Sequence, residues 1–233
     1  MSRLLYDLHT HTTLSHGKGS VEDNVKVALE RGLERIAITD HGTWHVSYGV
    51  RNIKQYIDKI EEVKKKYAGK IQVLLGMELN LCSLDGRADD IFEYENAFDI
   101  LILGYHKFAR MWNAKSYFYY YLTAKRDIIR NTDAVIAALE RNNLSILTHP
   151  GYAMPVDIKE VARACARTDT LFEINEKHTD LTPEDIQLAA SQGAKFILSS
   201  DAHTPQNVGN VRSAMEKFLA AGIPLELAVN LGE

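Results

Sequence analysis

The sequence predicts an α/β fold: a distorted TIM-like barrel of seven strands, (β/α)7, forming one domain over residues 1–233. Three observations predict it. Short, wholly apolar, β-rich runs alternate with longer amphipathic segments along the chain, as expected for parallel strands buried on both faces and covered by helices. Seven such units in 233 residues favour a closed barrel over an open sheet. Six of the seven runs lead into histidine or a carboxylate, and the C-terminal strand ends are where barrel enzymes build their sites.

The first run, residues 4–8, leads into His9-Thr10-His11, with His16 five residues on. Ser20 opens S-V-E-D, an N-cap for a helix over 21–31 that stops at Gly32. The second run, 36–39, leads into Asp40-His41, and a helix over 52–67 ends near Gly69. The third, 71–77, ends at Glu78; the fourth, 98–103, leads through Gly104-Tyr105 to His106. A helix over 133–141 precedes the fifth run, 144–147, which ends at Thr148-His149-Pro150-Gly151. After a helix over 157–167 comes the sixth run, 171–174, whose Glu173 and Asn175 are polar groups of a less distinctive kind. Thr182-Pro183-Glu184 reads as an N-cap, a first-turn proline and a first-turn acid before a helix over 185–192 that stops at Gly193. The seventh run, 196–198, leads into Asp201-Ala202-His203, followed by a helix over 211–221. An eighth strand would have to be 223–227, and the remaining residues are too few for a full unit.

Composition narrows the function. With 45% apolar and 25% charged residues the chain is an ordinary globular one, and no run is long enough to span a membrane. Two cysteines, Cys82 and Cys165, form no disulfide framework and no zinc-type pair, and no signal-peptide stretch opens the chain, which together point to the cytoplasm. A net charge of −4 argues against a long nucleic-acid partner while permitting a small phosphorylated substrate, because metal ions would supply positive charge locally.

In extended backbone, residues i and i+2 point the same way, so His9 and His11 can bind one ion from a single strand end; Asp201 and His203 repeat the spacing. Neutral imidazole and carboxylate suit zinc, manganese and iron. Nine candidate ligands, His9, His11, His16, His41, Glu78, His106, His149, Asp201 and His203, are too many for one ion. Two or three divalent ions fit the count, with Glu78 or Asp201 bridging. A single histidine after a strand is ordinarily a hydrogen-bonded loop residue. Seven on one rim without metal would repel one another when protonated and leave many polar groups to satisfy. His45 and His178 fall outside this pattern and read as bystanders.

The ordered set D-L-H-T-H-T (7–12), I-T-D-H-G (38–42), G-M-E-L-N (76–80), G-Y-H (104–106), T-H-P-G (148–151), E-I-N (173–175) and S-D-A-H-T (200–204) resembles the polymerase-and-histidinol-phosphatase (PHP) phosphoesterases. The resemblance implies a distorted seven-stranded barrel, three metals and hydrolysis of phosphate esters. It implies that His9 and His11 bind a first ion closed by Asp201, and that Glu78 bridges to a second held by His106 and His149. His16, His41 and His203 would bind a third. Asp201 and Asp40 are the candidate catalytic carboxylates, with Asp40 read as orienting a neighbouring imidazole. A hydroxide bridging two ions would attack phosphorus in line, so no serine or cysteine nucleophile is needed.

Lys107 and Lys177 are the leading substrate-binding residues among Lys18, Arg87, Lys107 and Lys177, the cations near strand ends. Residues 107–130 could form a lid; the five aromatics Tyr117–Tyr121 cover every helical face, which fits packing on the barrel or a partner subunit better than stacking on substrate. The expected activity is phosphomonoester hydrolysis of a small metabolite, with histidinol phosphate and nucleotides as family substrates. The alternatives are a phosphodiesterase or exonuclease on short nucleic acid, and a non-catalytic metal-binding module. Metal-dependent amidohydrolases also begin with H-x-H on a barrel. They place a bridging lysine at the end of the fourth strand, where this chain has His106, with Lys107 the nearest lysine.

Overall fold

The computed structural model describes residues 3–91, 93–178 and 180–232. Seven parallel strands lie in chain order: β2 (Tyr6–Asp7), β3 (Arg35–Ile38), β4 (Gln72–Asn80), β5 (Ile100–Gly104), β6 (Ile146–Leu147), β7 (Leu171–Asn175) and β8 (Phe196–Ser199). Between and around them run α1 (Val21–Glu30), α2 (Ile53–Lys66), α3 (Ala114–Leu122), α4 (Ile128–Arg141), α5 (Ile158–Thr168), α6 (Pro183–Ser191) and α7 (Arg212–Ala220). The sheet is almost closed into a barrel, as a seven-unit pattern requires. A short antiparallel pair, β1 (Arg3–Leu4) with β9 (Leu231–Gly232), joins the two ends of the chain.

Side-chain chemistry at the helix starts accounts for their boundaries. Ser20 and Asp23 cap α1 reciprocally, and Thr182 with Asp185 does the same for α6, with Pro183 in its first turn. Asp127, not a residue near 133, starts α4: its carboxylate accepts the Arg130 N–H at 3.1 Å, adding a turn that the hydrophobic pattern alone does not reveal. No helix among the described residues is long and apolar enough to cross a membrane.

Two apolar layers hold the barrel. The larger lies between strands and helices and includes Ile36, Ile38, Leu75, Met77, Phe172, Phe196 and Phe218, all fully buried. The smaller fills the barrel interior with Leu8, Ala37, Ile102, Ile146 and Ile197, flanked by Tyr6, Leu74, Ile100, Leu171 and Val229. Residues 223–227 supply no eighth strand; Leu225–Leu227 is a 3-10 turn. The seam between β2 and β8 is sealed instead by buried Asn230. Its amide accepts the Leu198 N–H and donates to the Leu198 and Tyr6 carbonyls. At the other end of the seam the His11 N–H donates to the Ala202 carbonyl at 2.8 Å, and Asp7 accepts from Ser200 and Gly209.

Candidate metal centre

The inward-facing positions of each strand alternate, and the site continues that alternation past the hydrophobic layer. From interior Ala37 the period of two leads to Thr39 and His41, from Leu74 to Glu78 and Asn80, and from Ile102 to Gly104 and His106. From Ile146 it leads to Thr148, from Leu171 to Glu173 and Asn175, and from Ile197 to Ser199 and Asp201. Six of the seven strands therefore deliver polar groups to one end of the barrel by the same register that packs its core, whereas His9, His11 and His149 fall one position out of step with interior Leu8 and Ile146. His149 and Asp201 adopt positive φ, 30° and 49°, turning sharply where the strands end. Such backbone strain collects at functional sites.

Glu78 is the hub. Its fully buried carboxylate lies 2.9 Å from His41, 3.0 Å from His149, 3.3 Å from His106, 3.4 Å from His9 and 3.6 Å from His11. Burial alone would raise its pKa, yet the surrounding imidazoles, led by His106 and His9, hold it well below the usual carboxylate range. Asp201 is a second focus, 3.2 Å from His11, 3.3 Å from His203, 3.4 Å from His178 and 3.7 Å from His9. Among the described residues, three sets of groups lie close enough to share an ion: His9, His11 and Asp201; His41, Glu78 and His106; and His11, His16, His41 and His203. His11 and His41 each fall in two sets, so the division differs from the one the resemblance implied: His41 joins Glu78 as well as His16 and His203. His149 reaches the centre through Glu78.

The donor atoms fit metal ions. Among the described residues, His11 Nδ1 and His16 Nδ1 are buried without a hydrogen-bond partner, and His41 Nδ1, Glu78 Oε2 and Asp201 Oδ1 have only ion-pair contacts with one another or with neighbouring imidazoles, without hydrogen-bond alignment. Poorly satisfied buried polar atoms are costly, and this concentration of them on the candidate ligands at one centre marks a place for cations. The Nε2 atoms of His9 and His11 lie 3.1 Å apart. Two nitrogens, each about 2.0–2.1 Å from a shared ion, stand roughly 2.9–3.4 Å apart. Burial lowers the pKa of His11 to about 3 and of His16 to about 4, which keeps both imidazoles in the neutral form that binds metal.

Several contributors were not visible in the sequence pattern. Glu173 Oε1 lies 2.7 Å from His9 Nδ1, and its other oxygen accepts the His149 N–H at 2.6 Å, so one carboxylate aims two candidate ligands. Asn80 does the same for His106, with 2.9 Å between Oδ1 and Nδ1, and is itself held by buried Asp89. His45 and His178 are not remote bystanders. His45 lies 5.1 Å from His41 ring to ring, and His178 stacks on Tyr152 at 3.7 Å beside Asp201. All nine histidines of the chain thus gather at one end of the barrel.

Asp40 differs from its expected role. Its carboxylate accepts from the Thr12 N–H at 2.7 Å, the Thr12 hydroxyl at 2.6 Å and the Ser15 hydroxyl, and hydrogen-bonds no imidazole among the described residues. It shapes the loop between His11 and His16 and is no candidate for touching substrate. Burial raises its pKa to about 6. Of the cations, Lys177 and Lys107 line the site cavity, and Lys177 Nζ stands 3.9 Å from Asp201 and 3.3 Å from His203. Arg87 points elsewhere, paired with Asp85. Residues 107–130 flank the cavity: Tyr119 and Tyr120 pack into the core, whereas Tyr117, Phe118 and Tyr121 are exposed.

A parallel barrel with this cluster at its C-terminal end defines a metal-dependent hydrolase. The PHP domain model matches residues 7–182, and the chain belongs to that family, as a metal-dependent phosphoesterase of the phosphatase class. It is similar to a probable phosphatase of Shewanella frigidimarina, 28% identical over 98% of this chain and 89% of that one. It is also similar to a probable phosphatase of Thermoanaerobacter sp. (strain X514), 30% identical over 98% of this chain and 91% of the other. In fold it resembles the Lactococcus lactis histidinol phosphate phosphatase crystallised with zinc, L-histidinol and phosphate. That likeness has a TM-score of 0.64 at 19% identity, covering 94% of each chain.

Proposed function

We propose that the chain is a phosphomonoesterase for a small phosphorylated metabolite. Its cluster would be two or three zinc, manganese or iron ions held by His9, His11, His16, His41, Glu78, His106, His149, Asp201 and His203. The observation that carries this reading is the convergence of those groups, with all but His9 and His11 on its wall, on a cavity of about 300 Å³, the size of a small-molecule site. When bound, the ions supply a hydroxide nucleophile near neutral pH and positive charge for the phosphoryl oxygens and the leaving alkoxide.

The protein's own groups prepare that chemistry. Glu173 and Asn80 fix the ring orientation of His9 and His106, so their Nε2 atoms face Glu78. Glu78 and Asp201 supply the negative charge that balances several dications in a buried place. Lys177, at the cavity wall beside Asp201 and His203, can take a phosphoryl oxygen, and Lys107 stands on the same cavity ready for another. A monoester dianion gains more from such a concentration of positive charge than a diester monoanion does.

The test is kcat/KM for an aryl phosphate, a bis-aryl phosphate and a short oligonucleotide with one metal. The monoester should be turned over at least tenfold faster, about 1.4 kcal/mol of transition-state preference. Faster turnover of the oligonucleotide would make the protein a nuclease.

A further inference from the structure

A second cavity of about 280 Å³ adjoins the metal site and shares Tyr105, His106, Lys107, Phe108 and Ala153 with it. The remainder of its wall comes from Met111, ahead of α3, from the C-terminal half of α3 and from the turn before α4. Tyr105, Phe108, Met111, Tyr120, Tyr121 and Leu122 give it flat and apolar surface. Tyr120 is buried, its hydroxyl donating to the Ser83 carbonyl, and the Tyr105 hydroxyl donates to the Tyr120 carbonyl, so these two walls are fixed. Phe108, at the junction of the two cavities, has φ 67°, a left-handed conformation unfavourable to a bulky residue. Its carbonyl accepts the Val46 N–H, and Arg110 N–H donates to the Trp44 carbonyl; these contacts with the loop after β3 hold it there.

The charges on this cavity all have one sign. Lys107, Lys125 and Arg126 line it, no aspartate or glutamate does, and none of the three cations makes an ion pair or side-chain hydrogen bond among the described residues. The chain as a whole is acidic, with net charge −4, so a wall with only cations runs against its general balance. Elsewhere the surface cations commonly pair, as Arg167 does with Glu140 and Lys64 with Asp99.

We propose that this cavity receives the leaving alcohol of the phosphomonoester, and that the alcohol combines a flat or apolar body with a negative charge. The inference rests on the phosphomonoesterase reading for the position of the phosphoryl group. With that group at the metal site, the ester oxygen faces the shared wall. The body of the alcohol then lies against Tyr105, Phe108 and Tyr121, and its anionic end meets Lys125 and Arg126. An alcohol carrying an ammonium group, as in an amino-alcohol phosphate, would bring positive charge to three cations with no carboxylate to meet it.

Two matched aryl esters test this: 4-(carboxymethyl)phenyl phosphate and tyramine phosphate, of similar shape and opposite charge. At low ionic strength kcat/KM should favour the carboxylate ester by tenfold or more. In the double variant Lys125→Ser, Arg126→Ser the ratio should fall below threefold. Equal rates, or a preference for tyramine phosphate, would overturn the proposal. The free phenols, 4-hydroxyphenylacetate and tyramine, supply a readout independent of turnover, by calorimetric titration of the metal-loaded protein. Tighter binding of 4-hydroxyphenylacetate, weakened in the double variant, supports the cavity assignment even if neither ester is hydrolysed, in which case the phosphatase reading alone fails. Binding that ignores charge would overturn the assignment.

Discussion

Glu78 carries the densest set of contacts at the centre, with five imidazoles within 3.6 Å. Glu78→Gln keeps the shape of the side chain and removes the charge that lets it hold two ions. We expect the purified variant to retain at least one metal equivalent fewer than the wild type, and more than one fewer where Glu78 bridges. His45→Ala should leave metal content unchanged, because the Tyr48 N–H already occupies its Nδ1 at 3.1 Å. Equal losses from the two variants would contradict this division of ligands from neighbours. Glu173 aims ligands from behind, so Glu173→Gln should weaken metal binding by about 10–100-fold while the folded protein persists, as read by competition with a chromophoric chelator. The candidate ligands were legible because H-x-H and D-x-H express the i, i+2 geometry within a single segment. Glu173, Asn80 and His178 were not, since each acquires its role from a partner distant in sequence; Glu173 is 164 residues from His9. Asp40 misled for the same reason: its place beside His41 in the sequence says nothing of the Thr12 and Ser15 groups it binds.

At the scale of elements, close packing of β5 against its neighbours decides whether the site can form. A Cβ on Gly104 would come within 2.8 Å of Glu78 Oε1 and His106 Cε1 and 2.7 Å of the Thr148 hydroxyl. Gly104→Ala must therefore push apart groups that meet around the proposed ions. It should cost about 1–3 kcal/mol of stability in urea unfolding and reduce bound metal, although Gly104 itself contacts no ion. Wild-type metal content in that variant would show that the β5 end does not bound the site. The C-terminal segment has a different task. Asn230→Ala leaves the Leu198 N–H, the Leu198 carbonyl and the Tyr6 carbonyl without their side-chain partner at the seam, and should destabilise by about 3 kcal/mol or more. The strands were readable as apolar runs bounded by turn residues. Neither α3 nor this seam was, because α3 has aromatics on every face and no apolar stripe, and Asn230 acts through hydrogen bonds that leave no periodic trace.

For the whole molecule, metal and fold should be coupled. The candidate ligands come from β2, β3, β4, β5, β6 and β8 or the segments just after them, so an ion bound among them ties much of the barrel circumference together. At free metal about a thousandfold above Kd, binding contributes about 4 kcal/mol, which for a chain of this size corresponds to roughly 8–16 °C in Tm. Chelation should lower Tm by an amount of that order, and metal should restore it. The most direct test of the central claim joins stoichiometry to turnover: elemental analysis of the purified protein, with hydrolysis of an aryl phosphate before chelation, after it, and after metal is returned. More than one equivalent of transition metal per chain, with activity lost on chelation and recovered on reloading, is the result expected. One equivalent or none, with hydrolysis indifferent to the chelator, would contradict a metal cluster as the source of the chemistry.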